Sequence, residues 1–198
     1  MSVHGFCALF SRMNYIDRWG LMRNSRKESL AEHSAATANI AHILALTAVQ
    51  LGEQVRPERV ATAALYHDLS ETLTGDMPTP VKYRDADIRS SYKRVEHEAQ
   101  KQVCGMLPAE LQAAMMGYLD ETALNEREHA ILKAADKLSA LIKCIEEARS
   151  GNTEFASAEK STREALAAMQ LPELDVFMKQ YLPAYRLTLD ELMEQAAE

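Results

Sequence analysis

Apolar residues recur along most of the chain at the three- and four-residue spacing of helices that bury one face. Phe6, Leu9, Phe10 and Met13 share a side and predict a short amphipathic helix over 5–13. NYIDRWGLMRNSRKES (14–29), with its aromatics, arginines and lone glycine, interrupts the pattern and predicts a loop. A long helix should open at Glu28 or Ser29 and run to about Gly52, with Leu30, His33, Thr37, Ile40 and Leu44 along its inward row. Pro57 suits a first turn and Gly75 a stop. One helix is therefore predicted between them, with Val60, Ala61, Ala64, Leu65, Leu69 and Leu73 as its apolar face. Two prolines in DMPTPVKY (76–83) argue against helix there and for an ordered loop. A polar helix is expected over 85–106 and another over 108–120. Asn125 should cap a long helix over 126–150, whose core stripe is Ile131, Ala135, Leu138, Ile142 and Ile145. Amphipathic helices near 154–169, 172–181 and 188–197 complete the chain.

No period-two alternation, glycine-rich phosphate loop, repeat or low-complexity tract interrupts this series. The expected fold is all-α, a single domain over 1–198, a helical bundle of roughly eight to ten helices joined by short loops.

Composition narrows the function. Of 198 residues, 47% are apolar and 26% charged, enough for a core without staples. The net charge of -7 speaks against a nucleic acid polymer as partner. Arg12, Arg18, Arg23, Arg26 and Lys27 form a local basic stretch against the single acid Asp17. It is either a solvated face or a place to receive an anion. Cys7, Cys104 and Cys144 form no C-x-x-C pair and are expected as small buried hydrophobes in a reducing compartment. The opening MSVHGFCALFSR lacks the features of a signal peptide, and no apolar run approaches the ~20 residues of a membrane span. The expected location is the cytoplasm.

The candidate chemistry centres on His67-Asp68 within AALYHDLSETLTGD (63–76). On a helix, Glu71 would share their sector of surface, four residues from one and three from the other. Three ionisable groups in an apolar helix need a partner, and a divalent metal is the simplest one. His33 and Asp136 could complete its shell. Taken singly, an inward histidine such as His33 is more often a satisfied core residue than a ligand, and Asp136 reads more readily as a solvated carboxylate than as a ligand. Asp76, Thr79 and Lys82 follow the cluster closely enough to touch a ligand.

The joint pattern of an upstream helical histidine, an adjacent His-Asp pair and a downstream helical aspartate resembles the HD-domain metal-dependent phosphohydrolases. IDRWGLMRN (16–24), AEHS (31–34), YHDLSETLTGDMPTPVKY (66–83) and KAADKLSALIKCIEE (133–147) resemble one branch, the bacterial 5'-deoxynucleotidases of the YfbR type. That resemblance implies an HD-domain bundle and hydrolysis of deoxyribonucleoside 5'-monophosphates with selection against ribonucleotides. It implies one divalent transition metal, cobalt, manganese or similar, on His33, His67, Asp68 and Asp136. Glu71 is then the acid–base group, the alternatives being an exposed salt bridge or a further metal ligand. Arg18 would orient the phosphate and Trp19 would close the space a ribose 2'-hydroxyl needs. Asp68 and Asp76 would touch substrate, Asp76 at the 3'-hydroxyl. Met77, Pro78 and Thr79 would wall the nucleoside, and Lys82 would add positive charge. The branch is homodimeric. One departure is Gly20, where the family pattern has proline. Two other functions fit the same residues: an HD hydrolase of triphosphates, cyclic dinucleotides or alarmones, and a helical binding module with a structural metal.

Overall fold

The computed structural model describes residues 3–82 and 84–195, the side chains of Thr79 and Pro80 excepted. The helices are α1 (Phe6–Ser11), α2 (Leu30–Gln50), α3 (Pro57–Tyr66), α4 (Glu71–Thr74), α5 (Thr79–Lys82) and α6 (Ala86–Cys104). They are followed by α7 (Ala109–Leu119), α8 (Glu126–Arg149), α9 (Ala156–Ala168), α10 (Pro172–Gln180) and α11 (Leu189–Gln195). No strand occurs among the described residues, and the one bridge joins Asp17 to Ser29. The all-α expectation holds.

The two long helices start where local chemistry sets them. Ser29 Oγ accepts the Glu32 amide while the Glu32 carboxylate takes the Ser29 amide, and Asn125 and Glu128 repeat this reciprocal cap on α8. Glu128 is fully buried and also accepts the Arg56 amide at 2.8 Å and its Nε at 2.7 Å, tying the start of α3 to the start of α8.

α2 packs between α3 and α8, burying the predicted row of Leu30, His33, Thr37, Ile40 and Leu44. Two apolar clusters result. One contains Ile40, Leu44, Ala64, Leu138, Leu174 and Phe177, and the other Phe6, Met13, Leu30, Leu69, Val103 and Leu119. Along the chain, His33 falls between Leu30 and Ile40, and His67-Asp68 between Ala64 and Leu69. The ionisable residues thus lie at the seam of the two clusters, where polar groups interrupt neither.

Three expectations need correction. The helix predicted from Pro57 to Gly75 ends at Tyr66, and residues 67–70 form turns before α4. His67 causes the break: its Nδ1–H donates to the Ala64 carbonyl at 2.7 Å, an acceptor that a continuing helix would give to the backbone. DMPTPVKY contains the single turn α5, because prolines at 78 and 80 fall at or before a first turn whose amides need no helical partner. Cys7 is exposed, while Cys104 and Cys144 are buried. Residues 196 and 197 of the last predicted helix lie outside the described residues.

Candidate functional site

The turn after α3 delivers His67 and Asp68 toward α2 and α8. His33 Nε2 lies 3.5 Å from Asp68 Oδ2 and 3.2 Å from Asp136 Oδ1. His67 Nε2 lies 3.1 Å from Asp68 Oδ2 and 3.9 Å from Asp136 Oδ1. One donor atom each from His33, His67 and Asp68 falls within 4.8 Å of the others, and Asp136 adjoins this group. The fold therefore brings all four side chains together.

The tautomers make this a place for a cation. The Ala64 carbonyl can only accept, so His67 Nδ1 carries its hydrogen and Nε2 of the neutral ring offers a lone pair. That nitrogen is buried without a hydrogen bond, although a carboxylate oxygen is 3.1 Å away. Two lone pairs face one another, and a positive charge is what would reconcile them. Ser139 Oγ lies 3.1 Å from His33 Nδ1, so that ring can likewise turn Nε2 to the carboxylates. Two imidazoles and two carboxylates fit a divalent ion.

In the metal-free protein a proton takes that place. Burial pushes His67 down, but Asp68 and Asp136 outweigh it and raise its pKa to about 9. Asp68 is held well below the carboxylate range by His67 against its own burial, and Asp136 by His33. His33, buried and facing the Arg18 charge, is pushed down. Protonated His67 therefore stabilises the metal-free fold in full below about pH 6.5, and this is lost as pH rises through about 9. Metal uptake at pH 7 is expected to release about one proton per chain. Calorimetric titration in buffers of different ionisation enthalpy measures it, and a buffer-independent heat would show His67 to be neutral beforehand.

Glu71 is buried beside this group. Burial, then Asp68 and Asp76, raises its pKa to about 9. Lys82 opposes that shift; its Nζ lies 4.8 Å from the Tyr92 ring centroid and 3.8 Å from Glu96. Asp76, Met77 and Pro78 are half-buried between α4 and α5, and the Thr79 side chain lies outside the described residues. Asp76 is near enough to act on both Glu71 and Arg18.

Arg18 and Trp19 belong to the loop that the Asp17–Ser29 bridge closes against the start of α2. Burial lowers the Arg18 pKa, but Glu28, Asp68, Asp136 and Asp76 together raise it, so the guanidinium is close enough to feel the carboxylates of the site. Arg18 Cζ is 5.8 Å from the Trp19 ring centroid, and the Arg18 side chain is 14% exposed, so the pair is not a surface ornament. Trp19 has φ +60°, a conformation costing a non-glycine residue about 1–3 kcal/mol. Gly20, lacking a proline ring, places no further restriction on it.

Several residues of the site were not singled out from sequence. Glu28 accepts from Arg18 Nη1 at 3.1 Å and from Trp19 Nε1 at 3.0 Å. Its signal was available, as the first acid after the basic stretch, but it also suits a helix start. Phe155 meets the Trp19 ring at 5.2 Å. Glu147 accepts the Ser25 amide at 2.8 Å and Asn152 Nδ2 at 2.7 Å, and Lys143 donates to it and to the Arg26 carbonyl, holding the loop from α8. No local pattern could show these, since 122 residues separate Ser25 from Glu147.

A helical bundle with an inward histidine, a His-Asp pair and a distant aspartate at one seam is an HD-domain phosphohydrolase. Its fold is similar to that of an HD-domain phosphohydrolase from Listeria innocua, at a TM-score of 0.81 and 26% identity over 93% of this chain and 90% of that one. The chain belongs to the 5'-deoxynucleotidase YfbR-like family, whose model matches residues 5–185. A protein of Erwinia tasmaniensis named 5'-deoxynucleotidase is 45% identical over 96% of this chain and 97% of its own. One of Klebsiella pneumoniae with that activity in its name is 43% identical over 99% of both. The family resemblance drawn from the motifs is borne out.

Proposed function

We propose that the chain is a metal-dependent 5'-deoxynucleotidase that hydrolyses deoxyribonucleoside 5'-monophosphates to deoxynucleoside and phosphate. It selects against ribonucleotides, uses one divalent transition metal such as cobalt or manganese, and works in the cytoplasm as a homodimer with the whole chain as one domain. The observation that carries the reading is the convergence of His33, His67, Asp68 and Asp136 beside a buried Glu71 and within electrostatic reach of the Arg18 guanidinium. The family's named relatives support the substrate class.

His33, His67, Asp68 and Asp136 would hold the ion. When bound, it would supply Lewis acidity toward the phosphoryl group and make a neighbouring water more acidic. Arg18 would orient the phosphate with the edge of its fork that Glu28 leaves free. As water attacks phosphorus and the bond from phosphorus to the 5'-oxygen breaks, Glu71, which holds a proton at neutral pH, accepts one from the water only as it gives its own to the departing 5'-oxygen. Its raised pKa favours the second of these transfers. Trp19, fixed by Glu28 and Phe155, would stand against the sugar. Asp68 and Asp76 are assigned to substrate contact, with Met77, Pro78 and Thr79 as the nucleoside wall and Lys82 as added charge.

Release of inorganic phosphate from dAMP, AMP and 3'-dAMP, assayed with several metals and beside pyrophosphate release from dATP, tests the proposal. Phosphate from dAMP is expected, and pyrophosphate alone would overturn the substrate class. Trp19→Ala is expected to admit the 2'-hydroxyl and bring the dAMP-to-AMP ratio of kcat/KM down by about tenfold or more. An unchanged ratio would remove Trp19 from sugar selection.

A further inference from the structure

We propose that Glu28 is the positioning residue that couples phosphate orientation to sugar selection. A single oxygen, Oε2, accepts from both Arg18 Nη1 at 3.1 Å and Trp19 Nε1 at 3.0 Å. The catalytic half of this inference rests on the deoxynucleotidase reading; the structural half does not.

The arrangement ties three parts together. Glu28 immediately precedes Ser29, whose reciprocal cap with Glu32 fixes the start of α2, the helix that carries His33. Its carbonyl accepts the Arg18 amide at 2.9 Å, so backbone and side chain act on the same loop. Arg18 and Trp19 are thereby registered to the helix of a candidate metal ligand. The Glu28 side chain is 15% exposed, which leaves its oxygen little competition from water.

Trp19 depends on such support. Its backbone sits at φ +60°, and its indole is held by Glu28 on the polar edge and Phe155 on the ring. With Nη1 occupied by Glu28, the guanidinium loses rotational freedom and shows substrate one defined edge. Removal of the carboxylate should therefore disturb two properties at once. The phosphate is held less well, and the wall against the sugar relaxes.

Trp19 is the only tryptophan in the chain, so its fluorescence reports this seat without reference to turnover. In Glu28→Ala the emission is expected to move to the red with more efficient acrylamide quenching. KM for dAMP should rise by about tenfold, equivalent to ~1.4 kcal/mol. The dAMP-to-AMP ratio should fall, kcat should fall less than KM rises, and metal content should stay at the wild-type level. Glu28→Gln retains an acceptor and should restore most of each property. Folded Glu28→Ala with unchanged emission and an unchanged dAMP-to-AMP ratio overturns the inference. Should the alanine variant not fold, the same two quantities decide it in Glu28→Gln beside Glu28→Asp, whose shorter arm cannot reach both donors; wild-type emission and ratio in both would overturn it. Wild-type protein that turns over no nucleoside monophosphate refutes the deoxynucleotidase reading, while the emission of Glu28→Ala still decides whether Glu28 seats Trp19.

Discussion

Asp68→Ala is expected to lose both bound metal and activity. Its Oδ2 lies within 3.5 Å of Nε2 of both imidazoles, whereas Asp136 Oδ1 stands 3.9 Å from that of His67, so among the described carboxylates of the site Asp136 does not fill the same position. Altering a group that merely supports a ligand commonly costs 10–100-fold in affinity or activity. Loss of this ligand is accordingly expected to lower kcat/KM by at least about 10³-fold, with elemental analysis finding well under one metal per chain. A second consequence appears without metal. The Asp68 carboxylate is the main influence lifting His67 to about 9, so the imidazole of the variant should titrate closer to its ordinary value. Proton-detected titration of the histidine side chains would see the change. Full metal content together with wild-type turnover would refute the assigned centre.

Glu71→Gln should separate chemistry from metal binding. The substitution keeps the shape of a buried side chain but can neither take nor deliver a proton, and kcat is expected to fall by ~10²–10⁴ with metal content retained. Stability should move the other way. A carboxyl raised to about 9 in the fold from an ordinary 4.5 stabilises it fully below about pH 4.5 and loses that contribution as pH rises through about 9. At neutral pH the wild-type fold thus holds a group that the unfolded chain ionises more readily. The metal-free glutamine variant is expected to melt at least about 2–4 °C higher at pH 7.5, the shift that ~1 kcal/mol produces in a chain of this size. Undiminished kcat would return Glu71 to a structural role. A lower melting temperature would show that its carboxyl is ionised and paired.

The two variants address different depths of the same site, and their contrast reflects how the fold builds it. Asp68 enters from a turn that exists because His67 Nδ1–H takes the Ala64 carbonyl. That interaction fixes the tautomer, ends α3 and aims Nε2 into the seam. Sequence periodicity could not anticipate the break, since Leu69 and Leu73 continue the apolar spacing of α3. The expected grouping of His67, Asp68 and Glu71 nevertheless survives, because the turn and the short α4 keep Glu71 buried beside Asp68.

The sequence by itself determined most of the helical segments, though not the break at 67–70 or the turn α5, and where the long helices begin, through interactions that span only a few residues. Ser29 with Glu32, Asn125 with Glu128, and Pro57 and Pro172 at first turns are of this kind. It also determined the inward row of α2 with His33 and the chemical types of the candidate donors. Only the tertiary structure decided how the Arg18–Trp19 loop is held, that Glu28 grips both residues, and that Glu147, Lys143, Asn152 and Phe155 support that loop from the far end of α8 and the turn beyond it. Local rules read neighbours a few positions apart, whereas this loop is held by Glu28, nine and ten residues from Trp19 and Arg18, and by Glu147 and Asn152, more than a hundred residues from the Ser25 amide and Arg23 carbonyl they bind, brought together when the apolar faces pack.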